Sequence, residues 1–292
     1  MTELPLVVGV DGSAGSMPAV DWAVDEAARH GLSLRLIHGS LWERYEALTP
    51  SAGPARPTGR TMADHIVASA AERAARRHPD VKVTTDVLLA DAADALLHEG
   101  NNATALITGS RGRGGLRQLA LGSVALSVAA RAHCPVIVMR GGHAGPAGPH
   151  DRILLGAGGP ATGAEAARFA FREAEAHGCV LDAVRAWRCP AREAADEDTL
   201  AEAPGRDHEV RARAELDALL RDPMADHPGV RTHRTTLEGP AGTVLVHRSA
   251  VAHLVIVGAR RRQGHFGLQL GRVAHTLLHH AGCPVAVVPQ RV

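Results

Sequence analysis

The sequence predicts an α/β protein of two tandem units, each a five-stranded parallel sheet with helices on both of its faces. The first observation is an internal repeat: "AHCPVIVMR" at 132–140 recurs as "AGCPVAVVPQ" at 281–290, which is 149 positions further on. The second observation is that short apolar runs alternate with alanine-rich amphipathic stretches in both halves. Parallel strands need helical crossover connections, so this alternation predicts right-handed βαβ units.

Five strands and four helices alternate along the first half. The predicted strands are "LPLVVGV" (4–10), "LSLRLIH" (32–38), "VKVTTDVLL" (81–89), "ATALITG" (103–109) and "PVIVMR" (135–140). The predicted helices cover about 16–30, 61–77, 91–100 and 122–132. Ser16 is a candidate N-cap for the first helix and Pro18 lies in its first turn, which favours a helix start there.

The second half copies this order. Near its start the offset is 147, so that Trp22 corresponds to Phe169 and Glu26 to Glu173. Strands that are apolar almost throughout, such as "HLVIVG", are typical of a sheet buried on both faces. We expect domains at 1–142 and 150–292, joined by the linker-like "GGHAGPAGPH". The stretches 49–60 and 189–207 are predicted to be loops because they are rich in proline, glycine and charge.

Composition excludes several classes of protein. The net charge of +1 among 292 residues gives no general basic surface, so we expect no nucleic-acid partner. Lys82 is the only lysine, which excludes a P-loop built on a phosphate-binding lysine. The apolar run in "MTELPLVVGV" is too short to span a bilayer, and four cysteines without a CxxC pair favour reduced thiols. We therefore expect a cytoplasmic protein without a membrane partner.

The candidate site lies where the first and fourth strands of the first half end. In an open parallel sheet, ligands bind outside the carboxyl ends of the strands, where the strand order reverses. The first strand ends in "VGVDGSAGS" and the fourth in "TGSRGRGG". Gly109, Gly112, Gly122 and Ser123 form the spacing G-x2-G-x9-G-[ST]. Glycines allow an oxyanion to approach the backbone, and a helix that begins at this motif presents its amides to negative charge.

At these two segments the chain resembles the universal stress protein family, in its tandem two-domain form. The resemblance is carried by "VGVDGSAGSMPAVDWAVDEA" and by "GSRGRGGLRQLALGSVALSVAARAHCPVIVM". It implies two Rossmann-like domains of the adenine nucleotide alpha hydrolase type and a site for ATP, with or without magnesium. The nucleotide contacts implied by the resemblance are Asp11, Gly12 and Ser13; the backbone of Ile37, His38 and Gly39; and Gly109, Ser110, Arg111, Gly112, Gly122, Ser123 and Val124.

The second half departs from this motif at four contact positions. Gly158 replaces the aspartate and Pro160 the serine of the first turn, while Arg261 replaces the second glycine and Arg272 the final serine of the loop. We expect a degenerate site in this half, and binding of an anion by its arginines stays the alternative.

The histidines of "HTLLHH" lack the glutamate that zinc proteases place after the first histidine, so we expect no metal site there.

Two functional hypotheses remain. The first is an ATP-binding regulator or sensor of the stress response, with the nucleotide held mainly by the N-terminal domain. Because there is no phosphate-binding lysine and no water-activating base other than Asp11, we expect no enzyme beyond slow ATP hydrolysis. The alternative is a nucleotide-free interaction scaffold of the same fold. The resemblance also implies that the two halves pair through their last strands, and it allows a homodimer.

Overall fold

The computed structural model describes residues 3–41, 59–110, 112, 121–140, 152–189, 205–259 and 270–290. The chain forms two compact units, one containing Met1–Arg140 and the other Ala147–Val292. Each unit is a parallel sheet with its own helices, as the sequence predicts.

The described residues of the first unit form five strands in the order β3-β2-β1-β4-β5, all of them parallel. Its elements are β1 (Leu6–Gly9), α1 (Met17–His30), β2 (Leu34–Gly39), α2 (Gly59–Arg77), β3 (Val83–Leu88), α3 (Ala92–Glu99), β4 (Ala105–Gly109), α4 (Ser123–Arg131) and β5 (Val136–Met139). The strand order reverses between β1 and β4, because the chain first extends the sheet on one side of β1 and then on the other. The predicted strands and helices of this half are confirmed.

The second unit repeats this arrangement, with the order β8-β7-β6-β9-β10 and parallel pairing throughout. Its elements are β6 (Arg152–Gly156), α5 (Pro160–His177), β7 (Val180–Trp187), α6 (Gly205–Asp226), β8 (Thr232–Glu238), α7 (Ala241–Ser249), β9 (Leu254–Ala259), α8 (Arg272–His280) and β10 (Val285–Pro289). The predicted loops 49–60 and 189–207 extend too far, because α2 already begins at Gly59 and α6 at Gly205. Residues 49–58 and 190–204 of these predicted loops lie outside the described residues.

The central strands are buried on both faces. Consecutive residues of a strand point to opposite faces of the sheet, and Val7 and Val8 of β1 are both fully buried. The same holds for Leu154 and Leu155 of β6. Covered faces explain why these strands are apolar without alternation. Among the described residues, no helix is both long and apolar enough to cross a membrane.

The four cysteines form no disulfide with one another in the structure. Cys134, Cys179 and Cys283 are buried, whereas Cys189 is half-buried. In Cys283, burial raises the pKa of the thiol to about 12 because a thiolate would lose its hydration there. These buried thiols act as small apolar side chains of the core.

Candidate functional site

The turn after β1 holds the carboxylate of Asp11 in a fixed position. Asp11 Oδ1 accepts hydrogen bonds from Ser13 N at 2.9 Å and from Ser13 Oγ at 2.6 Å. Gly12 between them has a φ of 73°, a left-handed conformation that favours glycine. Ser16 has the predicted N-cap position, but its hydroxyl donates to Ser13 O at 2.9 Å instead of accepting from a helix amide. The turn thus orients Asp11 through its own backbone.

Gly112 lies against this carboxylate. A Cβ atom at residue 112 would be 2.7 Å from Asp11 Oδ2, which is closer than real Cβ contacts allow. The loop after β4 and the turn after β1 therefore meet at the point where the strand order reverses. The sequence predicts this meeting because the first and fourth strands flank the reversal of strand order. The close approach also gives a physical reason for glycine at position 112.

The start of α4 closes the loop that follows β4. Gly122 N donates to Ser110 O at 2.8 Å, so that the two ends of the glycine motif lie side by side. Gly122 is the N-cap of α4 in an extended conformation, and Ser123 and Val124 are the first two helical residues. The first amides of a helix have no partner within the helix and carry the positive end of its dipole. Arg111, the remaining predicted contact of this loop, lies outside the described residues.

The end of β2 joins the site through its backbone. Val10 N donates to Ile37 O at 2.9 Å, and His38 Nδ1 lies 2.7 Å from Val10 O. Since a carbonyl oxygen only accepts, His38 Nδ1 carries the proton of this hydrogen bond. A Cβ atom at Gly39 would lie 2.6 Å from Ala92 Cα, so glycine is required there by packing against the start of α3. Ile37–Gly39 thus border the end of β1.

Thr108 was not singled out from the sequence, although it borders the glycine motif. It precedes Gly109 in β4 and is 4% exposed. Among the described residues, its hydroxyl has no hydrogen-bond partner. The sequence contains one signal that could have identified Thr108. It is a polar residue in an apolar strand, and the corresponding strand of the second half, "HLVIVG", has valine at that position.

The second unit has a different side-chain arrangement at the equivalent place. Arg185 occupies the position of His38, and its Nη1 donates to Gly158 O at 2.7 Å and to Ala157 O at 3.3 Å. Its Nη2 is bonded to Glu215 of α6. The guanidinium therefore covers carbonyl groups at the carboxyl end of β6. Sequence reasoning missed this contact, because the exchange of histidine for arginine lies outside the glycine motif.

The substituted motif residues of the second unit are described in part. Pro160 is the first residue of α5, so this helix begins about one turn earlier than α1 does relative to the repeat. Gly271 is the N-cap of α8 and Arg272 its first residue, in the position of Ser123. Arg261 lies outside the described residues.

Comparison with known proteins gives a consistent result for the whole chain. The model of the universal stress protein family matches residues 5–140 and again 149–289. A universal stress protein of Mycolicibacterium smegmatis is 39% identical over 302 residues, covering 99% of this chain and 98% of that one. A solved universal stress protein of Archaeoglobus fulgidus superimposes with a TM-score of 0.64 at 16% identity, covering 98% of both chains. A second one from that organism, solved in complex with dAMP, has a TM-score of 0.35 at 21% identity and covers 48% of this chain. The chain belongs to the universal stress protein family, as a tandem of two family domains.

Proposed function

We propose that the first unit binds ATP and that the protein acts as a nucleotide-dependent regulator or sensor in the stress response. The observation that carries this proposal is the close approach of Gly112 to the Asp11 carboxylate, next to the amide end of α4. This brings a carboxylate, a glycine backbone and helix amides that have no partner within their own helix to the carboxyl ends of the strands. A polyphosphate fits such a site without a lysine.

The roles proposed for the residues follow from these positions. Asp11 faces the ribose and phosphate side, where its carboxylate is of the type that binds a phosphate-bound magnesium ion. The amides of Ser123 and Val124 receive the phosphate tail at the start of α4. The backbone of Ile37–Gly39 borders the adenine.

Binding without rapid turnover is the activity that this chemistry supports. Asp11 Oδ1 is engaged by both the amide and the hydroxyl of Ser13, which lowers its value as a base for water activation. Lys82 precedes β3, and its carbonyl accepts from Leu34 N at the amino end of the sheet, away from the carboxyl ends of the strands. Rapid phosphoryl transfer commonly uses a cation on the transferring phosphate. We propose that the protein works in the cytoplasm, where its four cysteines stay reduced.

The proposal is tested by heat-denaturing the purified protein, assaying the supernatant for adenine nucleotide, and titrating ATP into the protein. Gly122→Arg places a bulky side chain at the N-cap of α4 and is expected to abolish binding. Gly271→Arg is the matched control, because Gly271 is the N-cap of α8 and a Cβ there meets nothing within 4 Å. If the folded wild type neither carries nor takes up adenine nucleotide, the ATP proposal is wrong and the nucleotide-free scaffold is favoured.

A further inference from the structure

The first inference concerns the buried hydroxyl of Thr108. Thr108 pairs in register with Gly9 of β1, and register partners of parallel strands point to the same face of the sheet. A Cβ atom at Gly9 would meet Leu96 of α3, so Thr108 lies on the face that α3 covers. Helix α3 packs against α4, the helix whose N-terminus ends the glycine motif.

The hydroxyl is costly in this position unless it has a partner. A buried hydroxyl without a hydrogen bond destabilises the folded state, and Thr108 is 4% exposed with no partner among the described residues. The second unit has Val257 at the equivalent position of β9, which is the isosteric side chain without the hydroxyl. The polar atom is therefore present only beside the intact glycine motif.

We propose that the Thr108 hydroxyl is a positioning group of the nucleotide site, donating a hydrogen bond to the phosphate end of the ligand. This rests on the proposed ATP binding. The hydroxyl then gains a hydrogen-bond partner in the loaded protein, and the unloaded unit is less stable than the same unit with valine at this position. Ligand binding and stability of the first unit are coupled through this atom.

The test is Thr108→Val, measured by thermal unfolding without ligand and by ATP titration. We expect a higher unfolding midpoint without ATP and an affinity about tenfold weaker, the usual effect of losing a hydrogen bond to a charged group. Thr108→Ser should keep the affinity, and Val257→Thr should lower the midpoint while leaving ATP affinity unchanged. Wild-type affinity in Thr108→Val would overturn this inference while leaving the proposed function intact, whereas a wild type that binds no ATP would overturn both.

The second inference is independent and concerns charge. In the first unit, two ion pairs join α1 to α2: Arg73 contacts Asp21 at 2.6 Å, and Arg77 contacts Asp25 through two nitrogens. The carboxylates raise the pKa of both guanidinium groups through hydrogen bonds. Helix α1 is thus the acidic partner of this helix pair and α2 the basic one.

The repeat reverses these charges in the second unit. At the equivalent positions α5 has Arg168 and Arg172, and α6 has Asp222 and Asp226. The correspondence follows from the repeat offsets and from the buried faces of the two helices, since Ala63 and Ala70 of α2 correspond to Ala212 and Leu219 of α6. The first helix now has the basic residues and the second the acidic ones. Arg168 contacts Glu165 of its own helix at 2.8 Å, and among the described residues no ion pair joins these positions of α5 and α6.

A third pair of positions, between a strand and a helix, also has opposite signs in the two units, and here both units form the ion pair. In the first unit Arg35 of β2 contacts Glu99 of α3 at 2.7 Å. In the second unit Asp182 of β7 contacts Arg248 of α7 at 2.6 Å, and Asp182 is 3% exposed. Arg35 and Asp182 correspond in the repeat, as do Glu99 and Arg248. Both contacts are attractive, and their signs are opposite.

We infer that these opposite signs direct each element to its own half during folding and oppose the exchange of homologous elements. If α1 packed on α6, Asp21 and Asp25 would face two aspartates, and α2 packed on α5 would bring four arginines together. If β7 packed on α3, Asp182 would face Glu99. Tandem repeats are prone to such misassembly because their elements fit one another's positions. Like charges at a contact disfavour the wrong partner, while the native neighbours carry opposite charges.

The test inverts the helix pair of the first unit with Asp21→Arg, Asp25→Arg, Arg73→Asp and Arg77→Asp together. The ion pairs between α1 and α2 stay attractive, but these helix pairs now have the same signs in the two halves. We expect an unfolding midpoint close to that of the wild type, and about tenfold more exchanged or dimeric product after refolding from denaturant, measured by size-exclusion chromatography.

Two further variants make the result decisive. Adding Arg168→Asp, Arg172→Asp, Asp222→Arg and Asp226→Arg restores the difference between the halves and should restore the yield of native monomer. The single inverted pair Asp21→Arg with Arg73→Asp perturbs folding least and should give a smaller increase in exchanged product. Wild-type refolding of the fourfold variant, or no recovery in the eightfold variant, would overturn the inference.

Discussion

At the scale of single residues, the site depends on the space beside the Asp11 carboxylate. Gly112→Ala would place a methyl group 2.7 Å from Oδ2 and displace either the loop or the carboxylate. We expect ATP affinity to fall about tenfold or more, since both proposed contact segments shift. Thermal unfolding should change little because residue 112 is exposed. Calorimetric titration measures the affinity, and unchanged binding by Gly112→Ala would show that this close approach does not shape the site.

The buried thiol of Cys283 gives a second prediction at this scale. Its pKa of about 12 exceeds that of an unfolded cysteine, so the folded state keeps a proton that the unfolded chain loses above about pH 8.5. The stability of the protein relative to Cys283→Ala is therefore expected to be greatest below that pH and to decline as pH rises towards 12. Chemical denaturation at several pH values measures the free energy of unfolding of the wild type relative to that of Cys283→Ala. If the advantage of the wild type grew with pH, the raised pKa of Cys283 would be contradicted.

Thiol labelling offers a simpler measurement of the same burial. In the native protein Cys189 is the half-buried thiol, and the other three are buried. We expect one fast-reacting thiol per chain near neutral pH, lost in Cys189→Ser. Rapid labelling of Cys283 in the native state would show that its surroundings open far more readily than its burial implies.

At the scale of elements, β2 and α3 are joined by a contact that only glycine permits. Gly39→Val would force a side chain to within 2.6 Å of the backbone of Ala92, and we expect a loss of about 1–3 kcal/mol in the free energy of unfolding. Gly229→Ala is the control, because its Cβ meets nothing within 4 Å, and should change stability by less than about 0.5 kcal/mol. Urea denaturation compares the two. Equal stability of Gly39→Val and wild type would mean that β2 and α3 can separate without cost.

Sequence patterns predicted the elements better than their ends. The apolar pattern of buried strands and the amphipathic pattern of helices can be recognised in a single sequence. The order of strands and helices in both units follows from these patterns. The start of α5 at Pro160 was not evident, because glycine and proline in "GAGGPATG" suit a turn as well as a helix start. The packing role of Gly39 was also hidden, since a close approach to Ala92 depends on the register of β2 against α3. The orphan hydroxyl of Thr108 depends on burial, which a single polar residue in a strand does not specify.

At the scale of the whole molecule, the duplicated units have diverged at the ends of their strands. The first unit has a fixed carboxylate facing a bare glycine, while the second has Arg185 bonded to the carbonyls of Ala157 and Gly158. The pairing of the two halves through their last strands stays a prediction, as does a homodimer. Because only the first unit has the proposed site, we expect one ATP molecule to bind per chain.

The number of ATP molecules bound per chain, measured by calorimetric titration of nucleotide-free protein, tests the central claim most directly. The account predicts one site per chain, strongly weakened in Asp11→Ala and unchanged in Gly158→Ala. A stoichiometry of zero, or of two sites that respond equally to the two substitutions, would contradict it.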